Sequence, residues 1–200
     1  MNKELDELLA EIHRLQNEVE NRWDELREQF HYSIKGHKVR FAAEIKKLHK
    51  EYKTGALRYI ISSRIANLIT APVIYCMVVP IGLLDVTISI YQHVCFRAYG
   101  IPRVKRRDYI IVDRHQLSYL NIIEKFNCVY CGYGNGIIAY AQEIVARTEQ
   151  YWCPIKHAQR VLGSHERYKY FADYGDAENY MKHVTTLRKQ LKDIDNKHKI

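Results

Sequence analysis

The sequence has few residues of the two types that interrupt regular structure, with 9 glycines and 4 prolines among its 200 residues. This scarcity excludes collagen-like and proline-rich chains. The glycine-rich phosphate-binding motifs and the GxSxG motif are absent, so nothing supports a nucleotide-binding enzyme or a serine hydrolase. Because 47% of the residues are hydrophobic and 27% are charged, the composition is typical of a chain that folds around an apolar core.

The start of the chain also lacks the pattern of a cleavable secretory signal, because residues 1–30 are rich in acids and contain no uninterrupted apolar run. The five cysteines are an odd number and cannot all pair with one another. We therefore expect a reducing compartment, in which closely spaced cysteines serve metal or redox chemistry. The 31 basic residues outnumber the 23 acidic ones, and the charge of +8 indicates an anionic partner, either nucleic acid or an acidic membrane surface.

Residues 1–58 are predicted to form an amphipathic helix whose first three heptads fit a coiled-coil seam. The apolar stripe consists of Leu5, Leu8, Ile12, Leu15 and Val19, continued in a shifted register by Trp23, Leu26 and Phe30. Two interpretations remain open: the helix packs on its own domain, or it pairs with a second copy to form a homo-oligomer. Lysines and arginines dominate residues 31–58, where they favour a helix lying on anionic lipid headgroups over a merely solvated face.

Residues 59–101 contain the most apolar stretch of the chain. Between Arg64 and Arg97 there is a single formal charge, and the length suffices for one membrane span but not for two. Pro72 and Pro80 interrupt the stretch, and basic residues, which prefer the cytoplasmic side, crowd both flanks. We therefore predict a broken, re-entrant membrane hairpin that enters and leaves by one face and offers a second surface for homo-oligomerisation. A buried hairpin in a soluble domain is the alternative.

The single charge inside this stretch is Asp85. Carboxylates within a membrane are costly and are often functional, so Asp85 is a candidate functional residue. Two structural interpretations compete with that role. Asp85 can cap the second half of the broken helix, or it can lie at the depth of the lipid headgroups.

Residues 102–200 are predicted to fold as a small helical domain. Asp113 and Gln116 resemble a capping box that opens its first helix. A second helix is expected over residues 137–152 and a last one over residues 176–193. The whole chain is therefore predicted to be all-α.

Four residues of this domain have the spacing of a metal site: Cys128, Cys131, Cys153 and His157. Two cysteines at i and i+3 can share one ion if the chain turns between them, and the glycine after Cys131 eases such a turn. Cys153 precedes a proline, which favours a helix start that puts His157 on the same face four residues later. The four form a Cys3His set, which predicts a zinc site, with iron or an iron–sulfur centre as the alternative. A dithiol–disulfide pair at Cys128 and Cys131 is a further alternative.

The stretch CVYCGY, beginning at Cys128, resembles a rubredoxin or zinc-ribbon knuckle. In the rubredoxin pattern the second half is Cys-Pro-x-Cys, whereas here Lys156 stands in place of the last cysteine and His157 follows it, which favours zinc. The longer stretch NCVYCGYGNGIIAYAQEIVARTEQYWCPIKHA resembles a family of uncharacterised bacterial proteins that carry an apolar segment upstream. This resemblance covers residues 60–162 and implies a bacterial membrane-associated protein, without assigning it an activity.

Glu143, Glu149 and His115 are candidates for outer partners of the metal site. Glu149 would orient His157, or it would join Asp113 and His115 in a carboxylate-rich site for two metal ions. The second arrangement usually needs Glu-x-x-His pairs, which are absent. The structural interpretation, in which Glu143 forms an ion pair with Arg147 one helical turn later, is therefore favoured.

These features predict a membrane-associated, metal-binding structural or interaction protein, rather than an enzyme, at the cytoplasmic face of a bacterial inner membrane. Anionic lipids and a second copy of the chain are the expected partners. A membrane-bound redox or metal-dependent enzyme that uses iron at the same site is one alternative. A basic nucleic-acid-binding zinc module is another, although the sequence has no RNP, helix-turn-helix or KH pattern to support it.

Overall fold

The computed structural model describes residues 3–30, 32–35, 38–41 and 43–194. Within these ranges the chain is mostly helical and has a single two-stranded sheet, which confirms the predicted all-α class. The chain divides into two compact units. The first unit contains the residues up to 62 together with 113–127, and the second contains residues 63–112 together with those from 128 onward.

The first unit consists of α1 (Lys3–Gln29), β1 (Tyr32–Lys35), β2 (Lys38–Phe41), α2 (Ala43–Glu51) and α3 (Ala56–Ser62). The strands β1 and β2 are antiparallel, with Tyr32 opposite Phe41. The continuity of the helix predicted over residues 1–58 is therefore wrong at the hairpin, whereas Ala43–Glu51 and the residues from Ala56 are helical. Apolar residues at every second position on both sides of Gly36 are a hairpin signal, and this period of two overrides the helical spacing.

The apolar stretch forms one helical segment, Ile65–Tyr99. It consists of α4 (Ile65–Cys76), α5 (Val78–Tyr91), a π-helical turn (Gln92–Phe96) and a short α6 (Arg97–Tyr99). Met77, between α4 and α5, keeps right-handed helical dihedral angles, and its N–H donates to the Ile74 carbonyl at 3.2 Å. The chain therefore keeps its direction at this break, and the predicted hairpin is wrong. Pro80 is tolerated because it lies in the first turn of α5, where backbone N–H groups need no helical partner.

The next long helix, α7 (Ile122–Trp152), is continuous across both of the shorter helices that were predicted for this region. Asn121 caps it, because its Oδ1 accepts hydrogen bonds from the N–H groups of Ile123 and Glu124 at 2.9 and 3.0 Å. Glu124 Oε2 in turn accepts one from the Asn121 N–H at 2.9 Å, which completes a capping box. The box predicted at Asp113 is wrong, since Arg114–Gln116 form only a 3-10 turn.

Three glycines inside α7, at positions 132, 134 and 136, serve packing rather than a turn. A Cβ atom at Gly136 would lie 2.8 Å from Ile110 Cα and 2.9 Å from the Tyr109 carbonyl oxygen. A Cβ atom at Gly134 would lie 3.4 Å from Ile81 Cδ1. The close approach of the backbone at residues 109–110 therefore requires glycine at position 136, although glycine is unfavourable inside an unpartnered helix. The contact at Gly134 is an ordinary van der Waals contact.

The hydrophobic core of the described residues lies in the second unit, where the π-helical turn, the chain at 101–104, α7 and α8 (Tyr180–Lys192) meet. Its buried members are Phe96, Ile101, Val104, Tyr140, Ile144 and Leu191. Val184 and Leu187, from the predicted C-terminal apolar stripe, are also buried. Residues 195–200, which belong to the tail predicted to fray, lie outside the described residues.

Candidate membrane anchor and its charged boundary

Among the described residues, one helical segment is long and apolar enough to cross a membrane, namely Ile65–Tyr99. Its first part, residues 65–84, carries no charge, and none of its residues is buried. We call this part the anchor segment. At a rise of 1.5 Å per residue it spans about 30 Å, which matches the hydrocarbon thickness of a bilayer. Its exposed large side chains include Ile65, Ile69, Val73, Val79 and Leu83.

α7 lies beside the anchor segment over part of its length. The Tyr130 hydroxyl donates to the Ile74 carbonyl at 2.6 Å, and the Tyr130 ring packs edge-on against Tyr75 with 5.8 Å between ring centroids. Ile74 lies in the last turn of α4, and its carbonyl accepts from the Tyr130 hydroxyl in addition to the Met77 N–H. Residues 128–142 of α7 carry no charge either, so the two neighbouring helices share an uncharged character.

Asp85, the first charged residue after the anchor segment, is fully paired. Arg106 donates to it twice, from Nη2 to Oδ2 at 2.6 Å and from Nε to Oδ1 at 3.2 Å. The Tyr133 hydroxyl donates to Oδ2 at 2.9 Å. Bidentate pairing of this kind neutralises a carboxylate effectively. The pairing favours a structural role for Asp85 at the end of the anchor segment over the functional role predicted for an intramembrane carboxylate.

A basic segment, residues 103–107, follows the core residue Ile101. Its four bases are Arg103, Lys105, Arg106 and Arg107. Val104 in its middle is buried, and Gln92 holds it in place: Gln92 Oε1 accepts from the Val104 N–H at 3.0 Å, while Nε2 donates to the Val104 carbonyl at 3.5 Å and to the Tyr140 hydroxyl. A buried amide that bonds both backbone groups of one residue fixes the chain there. The flanking Arg103 and Lys105 are thereby kept at the surface.

Arg103 has a neutral partner on the neighbouring helical segment. His93 Nδ1 lies 3.1 Å from the Ser89 carbonyl oxygen, and His93 Nε2 lies 2.8 Å from Arg103 Nη1. A carbonyl oxygen only accepts and a guanidinium only donates, so Nδ1 carries the imidazole proton and Nε2 accepts from Arg103. Arg103 therefore keeps its full positive charge, and the described residues give it no carboxylate partner.

Glu143, predicted as an outer partner of a metal site, is the centre of a partly buried ion-pair network. Its Oε1 accepts from Arg147 at 2.8 Å and from Arg167 at 2.5 and 3.1 Å. Arg147 also donates to the Pro102 carbonyl at 2.6 Å, and Arg167 to Gln150 Oε1 at 3.0 Å. Burial by itself raises the pKa of Glu143, but hydrogen bonds from the two arginines outweigh it, so the pKa lies below its ordinary value. The predicted ion pair between Glu143 and Arg147 is confirmed.

The four predicted metal ligands lie in two separate places. Cys128 and Cys131 are inside α7, whereas Cys153 directly follows its last residue. At 1.5 Å per residue, α7 separates Cys131 from Cys153 by about 33 Å. His157 is exposed, and its backbone N–H donates to the Tyr168 hydroxyl at 2.6 Å. The structure therefore does not bring the four together, because the turn expected after Cys131 is part of a helix.

Within the described ranges, no group of three or more His, Cys, Asp and Glu side chains is placed to hold a metal ion. All five cysteines are free. Zinc, with iron as its alternative, stays a prediction. So does the dithiol pair at Cys128 and Cys131, whose spacing of three puts both on neighbouring positions of one helix face.

Glu149 pairs with a histidine that sequence reasoning missed. Its Oε2 lies 2.8 Å from Nε2 of His165, and not beside His157 as predicted. The two residues are 16 positions apart with no recurring spacing between them, so no sequence signal could have linked them. His165 Nδ1 is buried without a hydrogen-bond partner among the described residues, and the His165 ring packs edge-on against Phe171. His115 belongs to the first unit, where it lies in the 3-10 turn Arg114–Gln116.

Comparison with known proteins gives no relative from which a function can be transferred. No family model, no curated protein and no solved structure matches this chain. The predicted resemblance to a bacterial family and the bacterial origin that it implies therefore stay predictions. The function has to be inferred from the residues of the chain itself.

Proposed function

We propose that this chain is a membrane-anchored structural or interaction protein whose anchor segment lies in the hydrocarbon of the bilayer. The observation that supports it is the uncharged, unburied helix of about 30 Å that ends at the paired Asp85. A soluble protein would cover such a surface, because large contiguous apolar patches mark interaction or membrane sites. The segment is apolar all round, which favours a helix within the bilayer over one lying on its surface.

The part of the chain that follows the anchor segment is proposed to face the cytoplasm of a bacterial inner membrane. The basic segment is adjacent to the anchor in space through the Arg106–Asp85 pair. Because basic residues flank both ends of the apolar stretch, their preference for the cytoplasmic side does not choose between the two ends, and the cysteines support the orientation instead. The free cysteines are consistent with a reducing compartment. Anionic lipids are the proposed membrane partner, because the basic segment provides attraction to a negative surface.

The proposal is tested by fractionating cells that express the full chain and extracting the membranes with alkaline carbonate. The wild-type chain is expected to stay with the membranes. Replacing Ile69 and Val73 together with Arg is expected to move it to the soluble fraction or to aggregates, because each Arg at the centre of a span costs about 3 kcal/mol. A matched control places Arg at Leu162 and Met181, which are as exposed but lie outside the anchor segment. A wild-type chain that is soluble and monomeric without detergent contradicts the proposal.

The apolar stripe of α1 supports self-association with a second copy. Ile12, Leu15 and Val19 are 46–49% exposed, so among the described residues nothing covers this face of the helix. With these residues at the seam, the flanking g positions are Glu11, Glu18 and Glu25, and the e positions Gln16 and Trp23 are uncharged. An antiparallel pair would set glutamates against glutamates, whereas a parallel pair sets them against neutral residues. We therefore propose a parallel coiled-coil homodimer.

Disulfide cross-linking of the full chain in membranes tests this pairing. Leu15→Cys is expected to give covalent dimers under mild oxidation, because equivalent seam residues face each other in a parallel pair. The control Asn17→Cys lies on the opposite face of α1. It is expected to give no more covalent dimer than the chain without an added cysteine. Equal cross-linking of both variants, or of neither, contradicts the parallel dimer.

A further inference from the structure

A cleft of about 580 Å³ opens between the helical segment beyond Asp85 and the basic segment. Its lining includes Ser89, His93, Arg103, Lys105 and Arg106. We infer that this cleft binds the phosphate of an anionic phospholipid headgroup. The inference rests on the proposed membrane anchor and adds to it a site of defined chemistry.

The basic residues around the cleft differ in the partners that they already have within the protein. Arg106 is neutralised by the bidentate pair with Asp85, and Arg107 has Asp108 at 3.7 Å. Arg103 donates only to the neutral His93 ring, and the Lys105 ammonium group has no hydrogen-bond or ion-pair partner among the residues that the structure describes. Two cations therefore face the cleft without a carboxylate, and an oxyanion is the ligand that satisfies both.

The backbone that carries these two cations is held in position and is not part of a free loop. Val104 between them is 4% exposed and is bonded on both of its backbone groups by the buried Gln92 side chain. Residues on either side of such a fixed point keep their spacing without a ligand. Less conformational entropy is then lost on binding, which favours affinity.

The depth of the cleft matches the headgroup layer. If Asp85 marks the end of the anchor segment, Ser89 and His93 lie about 6 and 12 Å further along the helix axis. The polar layer of a bilayer is roughly 5–8 Å thick on each side, so the cleft begins where lipid phosphates lie. A phosphodiester carries one negative charge and free oxygens that can accept hydrogen bonds from both Arg103 and Lys105, and at this depth its lipid tails would run beside the anchor segment.

The test uses the full chain, purified in a neutral detergent and supplied with lipid. Native mass spectrometry counts the lipid molecules retained when the chain is offered phosphatidylglycerol or phosphatidylcholine at equal concentration. We expect one phosphatidylglycerol to be retained in preference. The Arg103→Gln and Lys105→Gln double variant is expected to lower its apparent affinity about 25-fold, since each base near an anionic lipid surface contributes roughly fivefold.

Lys182→Gln with Lys189→Gln, on the exposed face of α8, removes the same charge and is expected to leave retention unchanged. The Lys105 side chain has no hydrogen bond or ion pair to lose among the described residues, so Lys105→Gln alone is expected to preserve the fold and still lower the affinity about fivefold. Equal retention of both lipids, or equal losses in the cleft and α8 variants, overturns the inference. If inorganic phosphate at the same concentration displaces the lipid, the cleft is a site for free phosphate and the inference of a lipid headgroup is wrong.

Failure of this site and failure of the anchor give different results. A chain that remains in membranes after carbonate extraction but retains both lipids equally is anchored without a headgroup site. A chain that is soluble without detergent loses the proposed anchor, and the headgroup site that rests on it is lost as well.

Discussion

The two halves of the helical segment Ile65–Tyr99 are both apolar in composition, but only the second half contains buried residues. No residue of the anchor segment is buried, whereas Phe96 in the second half is 0% and Gln92 is 3% exposed. The change begins at Asp85, the first side chain of the segment that is tied to other parts of the chain by an ion pair. A similar apolar composition is therefore left uncovered before Asp85 and is partly buried against the rest of the chain after it. We call the part after Asp85 the protein-facing half, although Val86, Ile90 and Val94 in it are exposed.

The largest expected effect concerns the protein-facing half. Phe96→Ala removes a fully buried ring from the core and is expected to lower the free energy of unfolding by about 4 kcal/mol. The matched variant Ile69→Ala, in the anchor segment, is expected to cost less than about 1 kcal/mol, because no protein cavity forms there. Urea unfolding of the detergent-solubilised chain, followed by near-UV circular dichroism, measures both. Equal losses of unfolding free energy in Phe96→Ala and Ile69→Ala would contradict the difference in burial between the two halves.

Glu143→Gln tests the protein-facing half further, because it breaks the ion pairs of Glu143 with Arg147 and Arg167. Arg147 also bonds the Pro102 carbonyl, directly after this half. Glu143 is 15% exposed and faces two arginines, so its neutralisation leaves partly buried cations unpaired. We expect a loss of about 3 kcal/mol in the free energy of unfolding, with membrane extraction unchanged. The same unfolding measurement checks it, and an effect below about 1 kcal/mol would show that the network is energetically minor.

The pH dependence of the unfolding free energy, compared between wild type and Glu143→Gln, gives an independent check on the ion pairs of Glu143. Because the pKa of Glu143 is lower in the folded chain than its ordinary value of 4.5, its ionised form stabilises the folded state. This stabilisation is fully present above that value and is lost as the pH falls through the lower folded pKa. The difference in unfolding free energy between wild type and Glu143→Gln should therefore shrink below pH 4.5. A difference that is constant from pH 7 down to pH 3.5 contradicts this assignment.

Two glycines give the smallest effects, with opposite signs. Gly136→Ala places a Cβ 2.8 Å from the Ile110 backbone and is expected to destabilise the chain by about 2 kcal/mol. Gly82→Ala, in the anchor segment, meets nothing within 4 Å and is expected to stabilise the helix by up to about 1 kcal/mol. Thermal unfolding in detergent measures both. Destabilisation by Gly82→Ala would mean that another surface approaches the anchor segment.

Sequence reasoning identified the parts of the fold that depend on local pattern. The apolar stretch, the helical C-terminal region and the stripe ending at Leu191 follow from hydropathy and spacing, and each is helical in the structure. The predicted ion pair of Glu143 with Arg147 succeeded for the same reason, because one helical turn fixes their distance. The hairpin of β1 and β2 was missed although its period of two is visible in the sequence.

The turn that was predicted after Cys131 is absent from the structure, and the reason lies with the glycines that follow this cysteine. Gly132, Gly134 and Gly136 suggested a turn that would fold Cys128 and Cys131 toward Cys153. In the structure these glycines are packing positions of a continuous helix, which holds the cysteines about 33 Å from Cys153. Whether a glycine ends a helix depends on the residue that packs against it. For Gly136 that residue is Ile110, which is 26 positions away in the sequence.

The sequence by itself determined that the chain has one long apolar helical segment and an amphipathic N-terminal helix, because composition and periodicity act over a few turns of chain. Only the tertiary structure decided which half of the segment meets protein, and that Asp85 pairs with Arg106 and Glu149 with His165. These choices depend on close packing and charge pairing between residues far apart in the chain. Such contacts carry no recurring spacing in the sequence.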